Sequence, residues 1–162
     1  MRGRGFAAAI ALALAARVAG AEEPGYALLE GHGGPVKGVA VSEDGTAALT
    51  ASFDTALGLW ALPEGRHLGW LEGHEAAVNA VAFLPGGRAV SGGDDFDAIL
   101  WDTGTGEALA RFEGHEGKVI ALAPSPDAAW LATAGWDGAI GLWALEAPGT
   151  APRWLHGHDG NV

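Results

Sequence analysis

The stretch from Gly73 to Trp101, GHEAAVNAVAFLPGGRAVSGGDDFDAILW, and the stretch from Gly114 to Trp143, GHEGKVIALAPSPDAAWLATAGWDGAIGLW, are two versions of one pattern. Each opens on Gly-His and closes on Trp, with a hydroxyl residue ten positions before the Trp and an Asp six before it. A third version runs from Gly31 to Trp60. The three sets are His32, Thr50, Asp54 and Trp60; His74, Ser91, Asp95 and Trp101; and His115, Thr133, Asp137 and Trp143. From His to Trp is 28, 27 and 28 residues, and from Trp to Trp 41 or 42. Gly157-His158 opens a fourth version, of which residues 157–162 are present. Self-similarity at such a period marks a supersecondary unit that buries its faces against its neighbours.

Within each unit, short apolar runs alternate with turn residues. The first run holds Val36, Val39 and Val41, then Val78, Val81 and Phe83, then Val119, Leu122 and Ala123. It is closed by Glu43-Asp44-Gly45, Pro85-Gly86-Gly87 and Pro124-Ser125-Pro126-Asp127 in turn. A second run carries the hydroxyl (48–51, 88–91, 130–134), a third ends on the Trp (56–60, 98–101, 139–143), and a fourth leads to the next Gly-His (67–71, 108–112, 153–156). Four short strands with Gly, Pro and Asp between them predict an antiparallel meander.

This arrangement resembles the WD40 family of β-propellers, whose blades carry a Gly-His, a terminal Trp-Asp and about 40–45 residues each. The resemblance covers Tyr26 to Val162. It departs at the dipeptide, since only Trp101-Asp102 keeps it, while Ala61 and Ala144 follow Trp60 and Trp143. The fold class implied is all-β: a partial propeller of three four-stranded antiparallel blades, the start of a fourth, and an unpaired N-terminal closing strand at Tyr26 to Glu30. The domain reading is a leader at 1–21, a linker at 22–25 and repeats at about 31–71, 73–112 and 114–156, with 157–162 opening the next. Propellers close with 4–8 blades, so the sequence reads as the N-terminal part of a longer protein; the other reading is a short protein that completes its ring by pairing copies.

The recurring residues have complementary hydrogen-bonding roles. An indole only donates, a hydroxyl and a neutral imidazole do both, and a carboxylate only accepts. The resemblance implies that Trp, Ser/Thr, His and Asp are linked in that order inside each blade, each link contributing about 0.5–1.5 kcal/mol net. Ser, His and Asp also evoke a hydrolase triad. That reading fails because the hydroxyl would be buried and taken by the Trp, and three copies would need three active sites. The tetrads read as structural networks that specify a core.

The first 21 residues are of another kind. Arg2 and Arg4 precede an apolar run from Phe6 to Ala16, and Ala19-Gly20-Ala21 follows it. That is the layout of a cleavable secretory leader, and the run is shorter than the about 20 apolar residues a spanning helix needs. An uncleaved N-terminal anchor is the alternative. Export to a periplasm or medium is therefore expected, with no membrane association once the leader is removed. The chain carries 9 basic and 20 acidic residues, and removing Arg2, Arg4 and Arg17 leaves a net charge of −14. Such a surface repels phosphate backbones, so nucleic acid is not an expected partner; it favours a basic protein partner. With no cysteine, disulfides, thiolate metal sites and covalent haem attachment within these residues are excluded.

Candidate sites outside the tetrads are few. His156 and His158 lie at alternate positions and so share a strand face, but His158 is the repeat's own histidine, and no third ligand is spaced to join them. Asp94, Asp95 and Asp97 form an acidic cluster, yet a Ca²⁺ site needs six or more oxygens, Asp95 is committed to its tetrad, and the other two suit a tight turn. No metal and no cofactor is expected. His67 reads as solvated, and Trp70 and Trp154 as packing between blades. The residue before each tetrad Asp is Phe53, Asp94 or Trp136. In WD40 blades this turn lies on the face around the central channel where partners dock, and aromatics favour binding hot spots; Lys118 approaches the same face. Alternatively Phe53 and Trp136 fold back onto the neighbouring blade.

These readings favour an exported protein-interaction scaffold rather than an enzyme. No nucleophile–base pair lies free of the tetrads and no phosphate-binding loop occurs. Fold alone does not supply an activity. One alternative is the propeller portion of a periplasmic redox protein joined to a c-type cytochrome domain beyond Val162, because exported bacterial WD40 arrays resembling this one can carry such a domain. Another is an enzyme using the central channel of a complete ring. Self-association through open sheet edges is also expected.

Overall fold

The computed structural model describes residues 28–158, 160 and 162. These form twelve strands in three four-stranded antiparallel sheets, and no helix occurs among the described residues. The first sheet is β1 (Val36–Val41), β2 (Ala47–Ser52), β3 (Ala56–Ala61) and β4 (Arg66–Glu72). The second is β5 (Val78–Leu84), β6 (Arg88–Gly93), β7 (Ala98–Asp102) and β8 (Ala108–Phe112). The third is β9 (Val119–Pro124), β10 (Trp130–Gly135), β11 (Ile140–Ala144) and β12 (Arg153–Leu155). Each pairs in sequence order, as a meander. The sheets are partial propeller blades, with β1, β5 and β9 lying against one another in succession.

Strand residues alternate between the two faces of a sheet, and each face meets a different neighbour. The rear face of the first sheet (Leu49, Ala51, Leu57, Leu71) packs on the front face of the second (Val78, Ile99, Trp101, with Val81 and Phe83 partly buried). The rear of the second (Val90, Ala98, Leu100, Phe112) packs in the same way on the front of the third (Leu131, Trp143, with Leu122 and Trp154 partly buried). The core is therefore two apolar layers between three sheets. Each tetrad Trp lies buried on the front face of its own sheet.

Two differences from the sequence reading concern chain ends of elements. Leu28 to Glu30, expected in a closing strand, belong to no strand, because a strand exists only against a hydrogen-bonded neighbour and none flanks them; Tyr26 lies outside the described residues, as does the leader. His156, expected at the end of a fourth run, falls just beyond β12.

Trp70 and Trp154 occupy equivalent positions, each paired across the ladder with a glycine, Gly58 or Gly141. Both stand edge-on to the tetrad Trp of their sheet, Trp70 with Trp60 at 5.9 Å and Trp154 with Trp143 at 5.6 Å between ring centroids. Trp154 joins the layer between the second and third sheets, whereas Trp70 stays within its own sheet, because the first sheet has no described neighbour on that side. The second sheet solves the same position differently. There Ile99 faces Arg111, and the Ile99 side chain supplies the bulk that a Trp supplies elsewhere. His67 is exposed at one edge but rests on Trp60 and Trp70, with centroids 4.8 and 4.3 Å away.

Candidate functional site

The turns between the second and third strands gather the tetrads and several of the molecule's ion pairs. Each tetrad closes there. Trp60 Nε1 donates to Thr50 Oγ1 at 2.8 Å, His32 Nε2 meets that hydroxyl at 2.7 Å, and His32 Nδ1 meets Asp54 at 2.8 Å. In the second sheet the corresponding distances are 2.7, 2.7 and 2.8 Å for Trp101, Ser91, His74 and Asp95. In the third they are 2.8, 2.7 and 2.8 Å for Trp143, Thr133, His115 and Asp137. Because a carboxylate only accepts, Nδ1 must donate to it; Nε2 then accepts from the hydroxyl, which in turn accepts from the indole. Each carboxylate takes a further backbone N–H, from Gly33, Glu75 or Glu116. Among the described residues no buried side-chain nitrogen or oxygen lacks a partner. A hydroxyl held at both ends has no freedom to attack a substrate.

The electrostatics fit this arrangement. Burial acts to raise the Asp95 carboxyl, but the hydrogen bond from His74 and the backbone N–H groups outweigh it and hold the group below its ordinary value. Asp54 and Asp137 are held low in the same way, against burial, by His32 or His115 and two backbone N–H groups each. Glycine makes the approach possible in two sheets. A Cβ at Gly93 or Gly135 would lie 2.6 Å from the tetrad carboxylate of Asp95 or Asp137.

The residue after each tetrad Asp is Thr55, Phe96 or Gly138, and all three have left-handed backbone, with φ of 75°, 72° and 77°. That conformation is natural for glycine and uncommon for other residues. Two of the three turns thus hold a non-glycine residue there. The same turns expose their aromatics: Phe53 is 46 %, Phe96 43 % and Trp136 48 % exposed. The chain's two lysines both reach this surface, Lys37 Nζ lying 5.6 Å from the Phe53 ring centroid and Lys118 Nζ 5.2 Å from that of Trp136. Lys118 also pairs with Asp94, which accepts from Asn79 Nδ2 at 2.8 Å. Burial works to raise the Asp94 carboxyl, but Asn79 and Lys118 together hold it low.

Phe53, Asp94, Trp136 and Lys118 therefore lie in or against successive turns, with both rings about half exposed. Lys37, Asn79 and Phe96 join them without any sequence signal pointing there. Lys37 and Lys118 stand on opposite sides of the first valine of their strands, so no repeat position links them, and a left-handed φ at Phe96 carries no composition mark. Of the remaining candidates, Asp97 pairs with Arg111 Nη1 at 2.6 Å, whose Nη2 donates to Gly73 O at 2.6 Å. His156 and His158 are exposed. Among the described residues no three His, Asp or Glu side chains converge as a metal site.

The family "WD domain, G-beta repeat" matches the sequence at residues 25–61, 65–102 and 106–144, well over half of the chain. The chain belongs to the WD40-repeat family. The matched WD40 windows and the sheets are out of phase. Residues 65–102 hold β4 with β5 to β7, and 106–144 hold β8 with β9 to β11. The second and third WD40 repeats thus each lend their first strand to the preceding blade, which ties consecutive blades together covalently. "Dynein assembly factor with WD repeat domains 1" of Macaca fascicularis and of Homo sapiens are each 36% identical to the chain over 58 residues. That match covers 36% of this chain and only 14% of either relative. WD40 repeats in general form scaffolds for protein–protein interaction, and their proteins are typically not enzymes.

Proposed function

We propose that this chain is an exported WD40 scaffold that docks a protein partner on the turns 53–55, 94–96 and 136–138. The observation that carries the reading is that each of those turns holds both an exposed aromatic and a left-handed residue: Phe53 and Trp136 stand two residues before Thr55 and Gly138, Phe96 is itself the left-handed residue, and two of the three left-handed positions lack the glycine that would relieve them. Backbone strain of this kind persists where the surrounding structure enforces it, and it clusters at binding surfaces. Phe and Trp rings offer large contact area with little rotamer entropy to lose. The lysine charges over Phe53 and Trp136 are attracted to the ring faces. The tetrads, a few residues away, fix the turns and contribute no reactive group.

Export is supported by the sequence of residues 1–21. The balance of 20 acidic against 9 basic residues favours a partner that is basic overall. The test pairs wild type with Phe53→Ser/Trp136→Ser in quantitative capture from the exported proteome. A protein held by wild type is then purified and titrated against both by calorimetry. We expect the double variant to bind at least tenfold more weakly while keeping its melting temperature. Equal affinity for both would reject these turns as the docking site.

A further inference from the structure

One structural position is filled differently in the second and third sheets. In the second, Arg111 lies opposite Ile99 across the ladder of β7 and β8. Its Nη1 donates to Asp97 at 2.6 Å and lies 3.6 Å from Asp95, while its Nη2 donates to Gly73 O at 2.6 Å. The hydrogen bond to Asp97, with the charges of Asp97, Asp95 and Glu75, raises the pKa of the guanidinium against the opposing effect of burial. In the third sheet the residue opposite Gly141 is Trp154, whose indole stands edge-on to Trp143 and His115. A cavity of about 230 Å³ is lined there by Gly114, Glu116, Asp137, Ala139, Trp154 and His156. These are, one for one, the counterparts of Gly73, Glu75, Asp95, Asp97, Arg111 and Glu113. The cavity is therefore built from the surroundings of Arg111, with an indole in place of the arginine.

Its walls suit a cation. Asp137 accepts from His115 Nδ1 and from the N–H groups of Glu116 and Ala139, which leaves capacity unused, since a carboxylate offers about four lone-pair sites. Glu116 adds a second, exposed carboxylate. Ala139 shortens the wall that Asp97 forms in the second sheet and makes room for a guest. Arg153 stands on the other face of β12, because neighbours along a strand alternate.

We propose that this cavity receives an arginine side chain of the protein partner. Its guanidinium bridges Asp137 and the Gly114 carbonyl, as Arg111 bridges Asp97 and the Gly73 carbonyl, and rests against Trp154. A guanidinium matches this set better than an ammonium does, because it presents N–H donors in a fixed planar fork and stacks on aromatic rings. The inference rests on the docking reading above: Asp137 belongs to the turn that exposes Trp136, so one partner can cover the ring and fill the cavity together. A following blade leaves the cavity open. The third sheet packs on the rear of the second and still leaves the Arg111 side chain 32 % exposed, and a blade behind the third sheet would stand in the same relation to this site.

The test uses a probe that needs no partner, so its outcome is separate from that of the Phe53→Ser/Trp136→Ser comparison. N-acetyl-arginine amide is titrated into the chain and followed by the amide signals in NMR, beside N-acetyl-lysine amide and the neutral isostere N-acetyl-citrulline amide. We expect saturable, low-millimolar binding of the arginine probe, at least tenfold tighter than citrulline and several-fold tighter than lysine. It should move the N–H signals of Glu116 and Ala139, which both donate to Asp137. Glu116→Gln, at an exposed position, should weaken binding about threefold, as for an exposed ion pair. Ala139→Asp, which restores the counterpart of Asp97, should tighten it. Trp154→Arg/Gly141→Ile, which installs the second sheet's own filling, should abolish it. Unmoved Glu116 and Ala139 signals, equal affinity for citrulline or lysine, or undiminished binding by the folded Trp154→Arg/Gly141→Ile chain would each overturn the proposal.

Discussion

Trp101→Phe is the sharpest probe of the tetrads. Trp101 is fully buried, and its Nε1 donates to the Ser91 hydroxyl at 2.7 Å. Phenylalanine keeps an aromatic ring but loses that donor, leaving a buried hydroxyl with an unfilled acceptor site at a cost of about 1–3 kcal/mol. It also vacates the space of the indole's outer ring, whose Cη2 sits 2.9 Å from where a Gly73 Cβ would be. Full truncation of a buried Trp costs about 3–5 kcal/mol, so the partial loss of volume adds about 1 kcal/mol. The sum is about 2–4 kcal/mol, or a fall in melting temperature of about 10 °C for a chain of this size. Far-UV circular dichroism in urea is the assay, since fluorescence changes with the substitution itself. Ser91→Ala and the double variant complete the cycle. The double variant should cost less than the sum of the singles, by about 1 kcal/mol, because it removes donor and acceptor together. A melting temperature within 2 °C of wild type, or strict additivity, would mean that the bond does not carry the stability assigned to it (thresholds from about 3–4 °C per kcal/mol).

The depressed carboxyls of Asp54, Asp95 and Asp137 make the fold acid-sensitive. A group whose folded pKa lies below its unfolded value contributes stability that is full above the unfolded value, about 4, and is lost as pH falls through the folded one. Thermal melts should therefore be flat in these groups' contribution from pH 7 to about 5 and fall below about 4; Asp95→Asn should flatten that acid limb, and an unchanged limb would remove Asp95 from it. Thr55→Gly relieves a strained left-handed residue and should stabilise by about 0.5–1 kcal/mol, while Gly138→Ala should destabilise by more than that, both read from urea midpoints. The reverse order would contradict the strain argument. Arg111→Trp should cost about 1–3 kcal/mol by overpacking Ile99, and adding Ile99→Gly should recover part of it, as in the Gly58–Trp70 and Gly141–Trp154 pairs. A double variant no more stable than Arg111→Trp alone would break the proposed exchange.

The repeat made the blades legible because a blade's strands, turns and tetrad all recur at one period. Spacing located Thr50, Ser91 and Thr133 ten residues before their Trp, and each indole does meet its hydroxyl. What spacing did not reveal is chemistry used once. Arg111 holds Asp97 and Gly73 in the second sheet alone, where the other sheets use a Trp over a Gly. Lys37 and Lys118 converge on equivalent rings from different strand positions. The closing strand at Tyr26 to Glu30 illustrates a different limit. Its sequence was read from register, but strand formation depends on a partner edge, and Leu28 to Glu30 have none among the described residues.

The strained turns set stability against binding. At Thr55 and Phe96 a glycine would be more stable, yet at Phe96 it would erase one of three exposed rings. Retaining phenylalanine in left-handed backbone sacrifices stability of about 1 kcal/mol or more, a loss that binding can offset through the contact area of the ring. The exposed valines of β1 have no such local strain. Their cost is solvent exposure of apolar surface, about 25 cal/mol per Å², and it disappears whenever another blade's rear face covers them. Replacing Phe96 with glycine should thus raise stability and weaken partner binding, whereas replacing Val39 with glutamate, away from the turns, should leave partner binding intact. A Val39→Glu chain that loses partner affinity while remaining folded would show that the docking surface extends beyond the turns.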